Sequence, residues 1–222
     1  EHDYLWSERE INALQQQFKR LKIFRGIEVS TQEGHALVYG VSDSDVAAFE
    51  WHMPLTRLVK LVHQVGGIVV LAHPTRYKDE IPAPVYNAGL DGVEAFSLNI
   101  REHMAGAIEK LQSHLDVPGT AGTDAHATDA LGFYGTKFRA PIASEADLVE
   151  AIKARDFTLH HDSERIAVRN DVISTQVAQM QALIQEGTLS PAEIKSQYNL
   201  SNAFQDGVRR GWDMHLRQGN HH

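Results

Sequence analysis

The order of apolar and polar residues predicts an α/β fold between residues 20 and 160. Short β-rich runs alternate there with helical stretches, which is typical of parallel strands joined by covering helices. The continuous apolar run IVVLA, at residues 68–72, indicates a strand that is covered on both faces. The predicted strands are residues 23–30, 35–39, 68–72, 92–97, 117–123 and 157–160.

Three helices are predicted between these strands. Residues 54–65 begin with a proline, carry apolar side chains at a period of 3.6, and are followed by two glycines that end the helix. A second helix is expected at residues 102–115. Ser144 and Asp147 resemble a capping box, which predicts a third helix that continues to Ala154.

The composition of the chain changes after about Glu164. Residues 172–185 and 191–217 are helical in pattern and rich in Gln and Ala. We therefore expect residues 1–163 to form the main domain. Residues 164–222 are predicted to form a helical C-terminal extension that packs on this domain or on a partner.

Composition excludes several classes of protein. The 222 residues include no Cys, which removes disulfide scaffolds, thiolate zinc sites and Cys nucleophiles. No apolar stretch approaches the roughly 20 residues of a membrane span, and no charged region followed by an apolar run has the pattern of a signal peptide. We therefore expect a soluble, cytoplasmic protein with no membrane partner. The net charge of -8 argues against general nucleic-acid coating but is compatible with a cleft that acts on one phosphate. The oligomeric state stays open.

Several potential metal ligands follow predicted strands. His73 directly follows the IVVLA run, Asp124 and His126 follow the strand at 117–123, and Glu28 lies at the end of the first strand. An α/β sheet places its active site at the carboxyl ends of its strands. Each residue alone also has a structural interpretation, as a turn residue, a surface acid or a helix cap. Four other histidines fall in stretches predicted to be helical and are expected at the surface, namely His52, His63, His114 and His215.

With His35 added, these residues form a mixed nitrogen and oxygen ligand set without sulfur. Such a set suits Zn²⁺, Mn²⁺ or Fe²⁺ in an open catalytic site. A carboxylate such as Glu28 can bridge two metal ions that clamp the attacking and leaving oxygens of a displacement at phosphorus. Asp124 and His126, two residues apart, are expected on one side of an extended segment.

Five short motifs, in their order along the chain, resemble the PHP (polymerase and histidinol phosphatase) domain family. Four of them are GIEVS at residues 26–30, LAHP at 71–74, GVE at 92–94 and GTDAH at 122–126. The opening residues Glu1, His2 and Asp3 resemble the end of an earlier family motif. The resemblance covers roughly residues 1–160. It implies a distorted (β/α)7 barrel that binds two to three divalent metal ions and hydrolyses phosphoesters.

The resemblance also implies roles for single residues. Glu28 matches the carboxylate that bridges two ions, and Glu28, Asp124 and His126 are the predicted catalytic residues. The implied ligands are Glu28 and Asp124 for the first ion, Glu28, His35 and His73 for the second, and His2 and His126 for the third.

One motif of the family is absent from this sequence. The family's N-terminal His-x-His, which would supply two ligands to the first ion, does not occur before His2. Because the chain begins within the next motif, we expect the natural protein to start upstream of Glu1, and residues 219–222 resemble vector sequence. Loss of activity is the alternative interpretation.

Substrate contacts are predicted close to the ligands. Arg76 lies three residues after His73, where a guanidinium can bind a phosphate through two parallel hydrogen bonds. Similar PHP phosphoesterases often have an arginine at this place. A solvated loop arginine is the alternative. Tyr77, Arg101 and His103 are further candidates for the same cleft.

These features lead to one main hypothesis and two alternatives. The main hypothesis is a metal-dependent phosphoesterase that hydrolyses a small phosphorylated metabolite or nucleotide through metal-activated water. Nucleic acid is a less favoured substrate because the chain is acidic. The alternatives are a non-catalytic, PHP-derived scaffold or regulatory binding module, and a metal-dependent C-N hydrolase.

Overall fold

The computed structural model describes residues 2–76, 80–100, 104–126, 128–188 and 190. The strands are β1 Ile27–Ser30, β2 His35–Tyr39, β3 Ile68–Leu71, β4 Gly92–Phe96, β5 Gly119–Ala121, β6 Tyr134–Phe138 and β7 Phe157–His161. The helices are α1 Glu8–Gln17, α2 Asp43–Val46, α3 Leu55–Gln64, α4 Ala105–Leu115, α5 Glu145–Lys153 and α6 Ser163–Gln185, with 3-10 turns at Ala83–Asn87 and Thr128–Ala130.

Five strands form one sheet in the order β1-β2-β3-β4-β5, and β6 pairs with β7 in a separate sheet. This mixture of strands and helices confirms the predicted α/β class. The prediction of parallel strands is correct for the pairs β3-β4 and β4-β5. It is wrong for the pairs β1-β2 and β2-β3, which are antiparallel. The described strands do not close into a barrel.

The alternation of residues in β1 and β2 sets the register between them. Ile27 pairs with Val38 and Val29 pairs with Ala36, and all four side chains are buried. Because successive residues of a strand point to opposite faces, the intervening residues, Glu28 among them, face the other side of the sheet.

Helices cover both faces of the central strand β3, as its apolar sequence predicts. All four residues of β3 are buried. On one face, Val69 and Leu71 belong to the same core as the apolar positions of α3, which confirms the predicted helix. On the other face, Ile68 packs with Val149 and Ile152 of α5. Helix α5 begins with the predicted capping box of Ser144 and Asp147.

Several elements differ from the sequence-based expectation. The first strand covers only Ile27–Ser30, and α6 is longer than predicted because it begins at Ser163. Helix α1 was not predicted, although Ser7 and Glu10 form a complete capping box at its start. Strand β6 was also not predicted, because its residues are mostly half-buried and lack a clear alternation. The predicted helix at residues 191–217 lies outside the described residues.

The chain divides into two compact units, residues 1–123 with 134–160, and residues 124–133 with 161–222. In the second unit, the Arg165 side chain donates to the Leu131 carbonyl at 3.1 Å and lies over the ring of Phe133. The domain boundary near residue 163 stays a prediction. Among the described helices, none is long and apolar enough to cross a bilayer.

Candidate metal site

Three histidines surround the carboxylate of Glu28 in the first unit. Glu28 Oε1 lies 2.8 Å from His35 Nδ1 and 3.1 Å from His73 Nε2, and Glu28 Oε2 lies 3.8 Å from His2 Nε2. In the described part of the chain, His2, Glu28 and His35 each offer one ligand atom within 4.8 Å of the other two. Imidazole nitrogens around a carboxylate suit a divalent cation such as Zn²⁺, Mn²⁺ or Fe²⁺, so this donor set fits the metal that the sequence predicts.

Antiparallel pairing brings two of these histidines together. Because β2 runs against β3, the first residue of β2, His35, lies beside the carboxyl end of β3, and Ala72 N–H donates to His35 O at 3.0 Å. His73 is the next residue. Glu28 lies inside β1 rather than at its end, so the predicted strand-end position is wrong for this residue.

The N-terminal segment adds His2 to the edge of β1. His2 forms a parallel β-bridge with Glu28, and Asp3 N–H donates to Glu28 O at 2.8 Å. The Asp3 carboxylate accepts hydrogen bonds from the backbone N–H and the hydroxyl of Ser30, at 2.8 and 2.7 Å. These contacts fix the segment and direct His2 toward the cluster.

The environment of Glu28 favours its ionised form. Burial alone raises the pKa of this carboxyl group, but hydrogen bonds to His35 and His73 and the electrostatic attraction of His2 and His73 outweigh burial. The pKa of Glu28 is therefore held well below its usual range. An ionised carboxylate is the form that binds a metal ion.

Glu94 supports His73 through the backbone. The backbone N–H of His73 donates to Glu94 Oε2 at 2.8 Å, and both residues are only 3% exposed. His73 has a φ of +22°, in the left-handed region that residues other than glycine rarely adopt. No role was predicted for Glu94 from the sequence, although an acid within the apolar strand GVEAF is a signal of one.

A pocket of about 360 Å³ lies beside the cluster and is lined by both His35 and His73. Arg76, the predicted phosphate ligand, also lines the pocket, is 9% exposed, and has its Nη1 atom 3.5 Å from His73 Nε2. Trp51 and His52 line it too. The expectation that His52 lies in a helix is wrong, because His52 is in the turn before α3 and has a φ of +56°.

Asp124 and His126 belong to the second unit. Asp124 has a φ of +46°, so the segment is not extended as predicted, yet His126 Nδ1 lies 2.9 Å from Asp124 O and 3.7 Å from Asp124 Oδ1. Their roles as metal ligands stay predictions. The other candidates Tyr77, Arg101 and His103 lie outside the described residues, as does His215, which was expected at the surface.

Comparison with solved structures shows a shared fold. The chain is similar to PsfC from Pseudomonas syringae PB-5123, with 18% identity and a TM-score of 0.53 over 68% of this chain and 64% of that chain. The chain thus spans slightly less than two thirds of PsfC. It also matches a provisionally named metal-dependent phosphoesterase from Bifidobacterium adolescentis ATCC 15703, with 13% identity and a TM-score of 0.46 over 70% of this chain and 84% of that chain.

Comparison with protein families gives a direct match. No curated protein matches the chain. Residues 107–157, from α4 to the start of β7, match the model of the family described as PHP-associated. The match is limited to this segment, and it agrees with the resemblance of the ordered sequence motifs to the PHP-domain family.

Proposed function

We propose that this protein is a metal-dependent phosphoesterase that hydrolyses a small phosphorylated metabolite or nucleotide. The observation that carries the proposal is the Glu28 carboxylate, which lies within 3.1 Å of His35 and His73 nitrogens beside a pocket that Arg76 lines. The PHP-associated family match supports this reaction class.

The proposed metal ligands are the six residues that the PHP resemblance implies. His2, Glu28, His35 and His73 supply one set, and Asp124 and His126 supply a second. Two to three divalent ions bound by these residues would provide Lewis acidity and lower the pKa of a bound water molecule. Glu28, Asp124 and His126 are the proposed catalytic residues, and Glu28 is held in position by hydrogen bonds from two imidazole rings.

Arg76 is the proposed phosphate ligand. Its side chain is almost fully buried, so few water molecules compete for the guanidinium, which strengthens a charge-assisted hydrogen bond to a phosphate oxygen. The backbone N–H of Arg76 donates to His73 O at 2.9 Å. This hydrogen bond holds the backbone of the proposed phosphate ligand, Arg76, close to that of the proposed metal ligand, His73.

Other parts of the proposal concern the fold and the setting of the protein. The distorted (β/α)7 barrel stays a prediction, because the described strands form a five-stranded and a two-stranded sheet. The proposed partner is the phosphorylated substrate, and the proposed location is the cytoplasm.

The test is phosphate release from a broad panel of phosphoesters after loading with Mn²⁺ or Zn²⁺. We expect His73→Ala to reduce both bound metal and kcat/KM, because it removes a proposed ligand that is in direct contact with Glu28. His114→Ala removes an exposed histidine of α4 and should leave both quantities unchanged.

Three results would contradict the proposal in different ways. Metal binding without phosphoester hydrolysis, but with hydrolysis of amides, would indicate the C-N hydrolase. No metal binding and no hydrolysis would indicate the scaffold or regulatory module. Equal metal content in His73→Ala and His114→Ala would contradict the proposal that His73 belongs to a metal site.

A further inference from the structure

An aromatic side chain lies unusually exposed at the pocket beside the metal site. Trp51 is 75% exposed, the highest value among the large apolar side chains of the described residues. An exposed indole costs hydrophobic free energy in the absence of a ligand, and exposed apolar surface at a pocket is a common mark of a binding site. Trp51 lines the same pocket as His35, His73 and Arg76.

The segment that carries Trp51 is fixed to the metal-site strands. His52 N–H donates to Ser30 O at 3.1 Å, and Gln32 N–H donates to Met53 O at 3.2 Å. Thr31 and Met53 form a parallel β-bridge, and Met53 is buried. The backbone on the C-terminal side of Trp51 is thus held against the loop that joins β1 to β2.

The ring of His52 restricts the indole further. The Trp51 and His52 rings meet nearly at right angles, with their centroids 4.2 Å apart. His52 keeps a φ of +56° in this turn, a conformation that costs free energy for a residue other than glycine. A well-fixed aromatic ring loses little conformational entropy when another ring stacks on it.

We propose that Trp51 forms a stacking subsite for a planar ring, so that the preferred substrate is a nucleotide rather than a ring-free sugar phosphate. This inference rests on the proposed phosphoesterase function. The pocket volume is in the range of sites for small ligands, and its lining combines imidazole and guanidinium groups with the indole. The phosphate of a nucleotide would lie at the Arg76 side and its base at Trp51.

The first experiment compares adenosine 5′-monophosphate with ribose 5-phosphate, which is the same molecule without its base. Stacking of a base on an aromatic side chain contributes about 1–3 kcal/mol, so Trp51→Ala should lower the ratio of the two kcat/KM values about tenfold. Trp51→Phe keeps a ring and should restore most of the ratio. Phe18→Ala removes another exposed ring that does not line this pocket and should leave the ratio unchanged.

The second experiment measures binding without catalysis. Adenosine 5′-monophosphate should quench tryptophan fluorescence in a saturable manner, ribose 5-phosphate should not, and Trp51→Phe should abolish the quenching. If neither compound is hydrolysed but this quenching is observed, the phosphoesterase proposal fails while the subsite stands. Each of three results would overturn the subsite. They are hydrolysis of ribose 5-phosphate alone, an unchanged ratio of the two kcat/KM values in Trp51→Ala, and the absence of quenching from Trp51.

Discussion

Replacement of Glu94 by Ala tests whether β4 positions the metal-site loop. Val93 pairs with Leu71 across the parallel strands β4 and β3, so Glu94 lies beside the chain as it leaves β3. Its Oε2 atom accepts the backbone N–H of His73 at 2.8 Å, and both residues are buried. Glu94→Ala would therefore leave a buried backbone donor without its present acceptor.

The expected loss follows from that one hydrogen bond. A buried donor left unpaired costs about 1–3 kcal/mol, and we take about 2 kcal/mol as the decrease in the free energy of unfolding. For a chain of this length, that decrease corresponds to a fall in Tm of about 4–8 °C. Glu94→Gln keeps the length of the side chain and an acceptor oxygen. The decrease in the free energy of unfolding should therefore be about half as large or smaller.

The assay is thermal unfolding of the metal-free protein, followed by zinc titration of each variant. Because His73 would lose its backbone support, we expect zinc affinity to fall about tenfold in Glu94→Ala and to change much less in Glu94→Gln. Glu109→Ala, an exposed acid of α4, is the control. The proposed support of His73 by Glu94 is contradicted if Glu94→Ala has the same Tm and zinc affinity as Glu109→Ala, or if Glu94→Gln lowers both as much as Glu94→Ala.

Two further predictions concern stability and titration. A Cβ atom at Gly67 would lie 2.7 Å from the Tyr39 carbonyl oxygen, so Gly67→Ala should destabilise by about 1–3 kcal/mol in urea unfolding. A Cβ atom at Gly106 in α4 would meet no atom within 4 Å, so Gly106→Ala should stabilise the protein by about 0.5–1 kcal/mol. Equal urea midpoints for the two variants would contradict this. Hydrogen bonds from the Ser7 hydroxyl and backbone lower the pKa of Glu10, so its contribution to stability is present above the ordinary pKa and is lost as the pH falls through the lowered value. Ser7→Ala should raise the pKa of Glu10 toward its ordinary value in an NMR titration, and an unchanged pKa would show that the capping box does not act on it.

Local patterns allowed several elements to be predicted from the sequence. The 3.6-residue period of α3, the apolar run of β3 and the capping box at Ser144 each depend on residues close together in the chain. The same kind of signal was present at Ser7 and Glu10, where α1 begins. Only two large apolar side chains, Ile11 and Leu14, occur in that helix, and none of its residues is fully buried.

The antiparallel pairing of β1, β2 and β3 was not predictable from those patterns. Strand direction depends on which strands pair across the sheet, and apolar periodicity carries no information about it. This pairing is the reason that His35, at the start of its strand, lies beside Ala72 and next to His73.

Part of the candidate site could be predicted from the sequence, and the rest depends on tertiary structure. His35 and His73 were identified from residue type and order along the chain, and His2 from the resemblance to the PHP family. Glu94 acts through the backbone of a residue 21 positions earlier, and Trp51 lines the pocket because its segment bonds to the β1-β2 loop. Neither role follows from sequence spacing, because each depends on strand pairing.

The most direct test of the metal site compares metal binding by the wild type and Glu28→Gln. This substitution preserves the size of the side chain and removes the charge that two histidines contact. After loading with Zn²⁺ and removal of free ion, elemental analysis should show about one more ion per chain in the wild type than in the variant. Comparing the two proteins cancels any metal bound by the terminal His221 and His222. Equal metal content in the two proteins would contradict the assignment of Glu28 as the centre of the site.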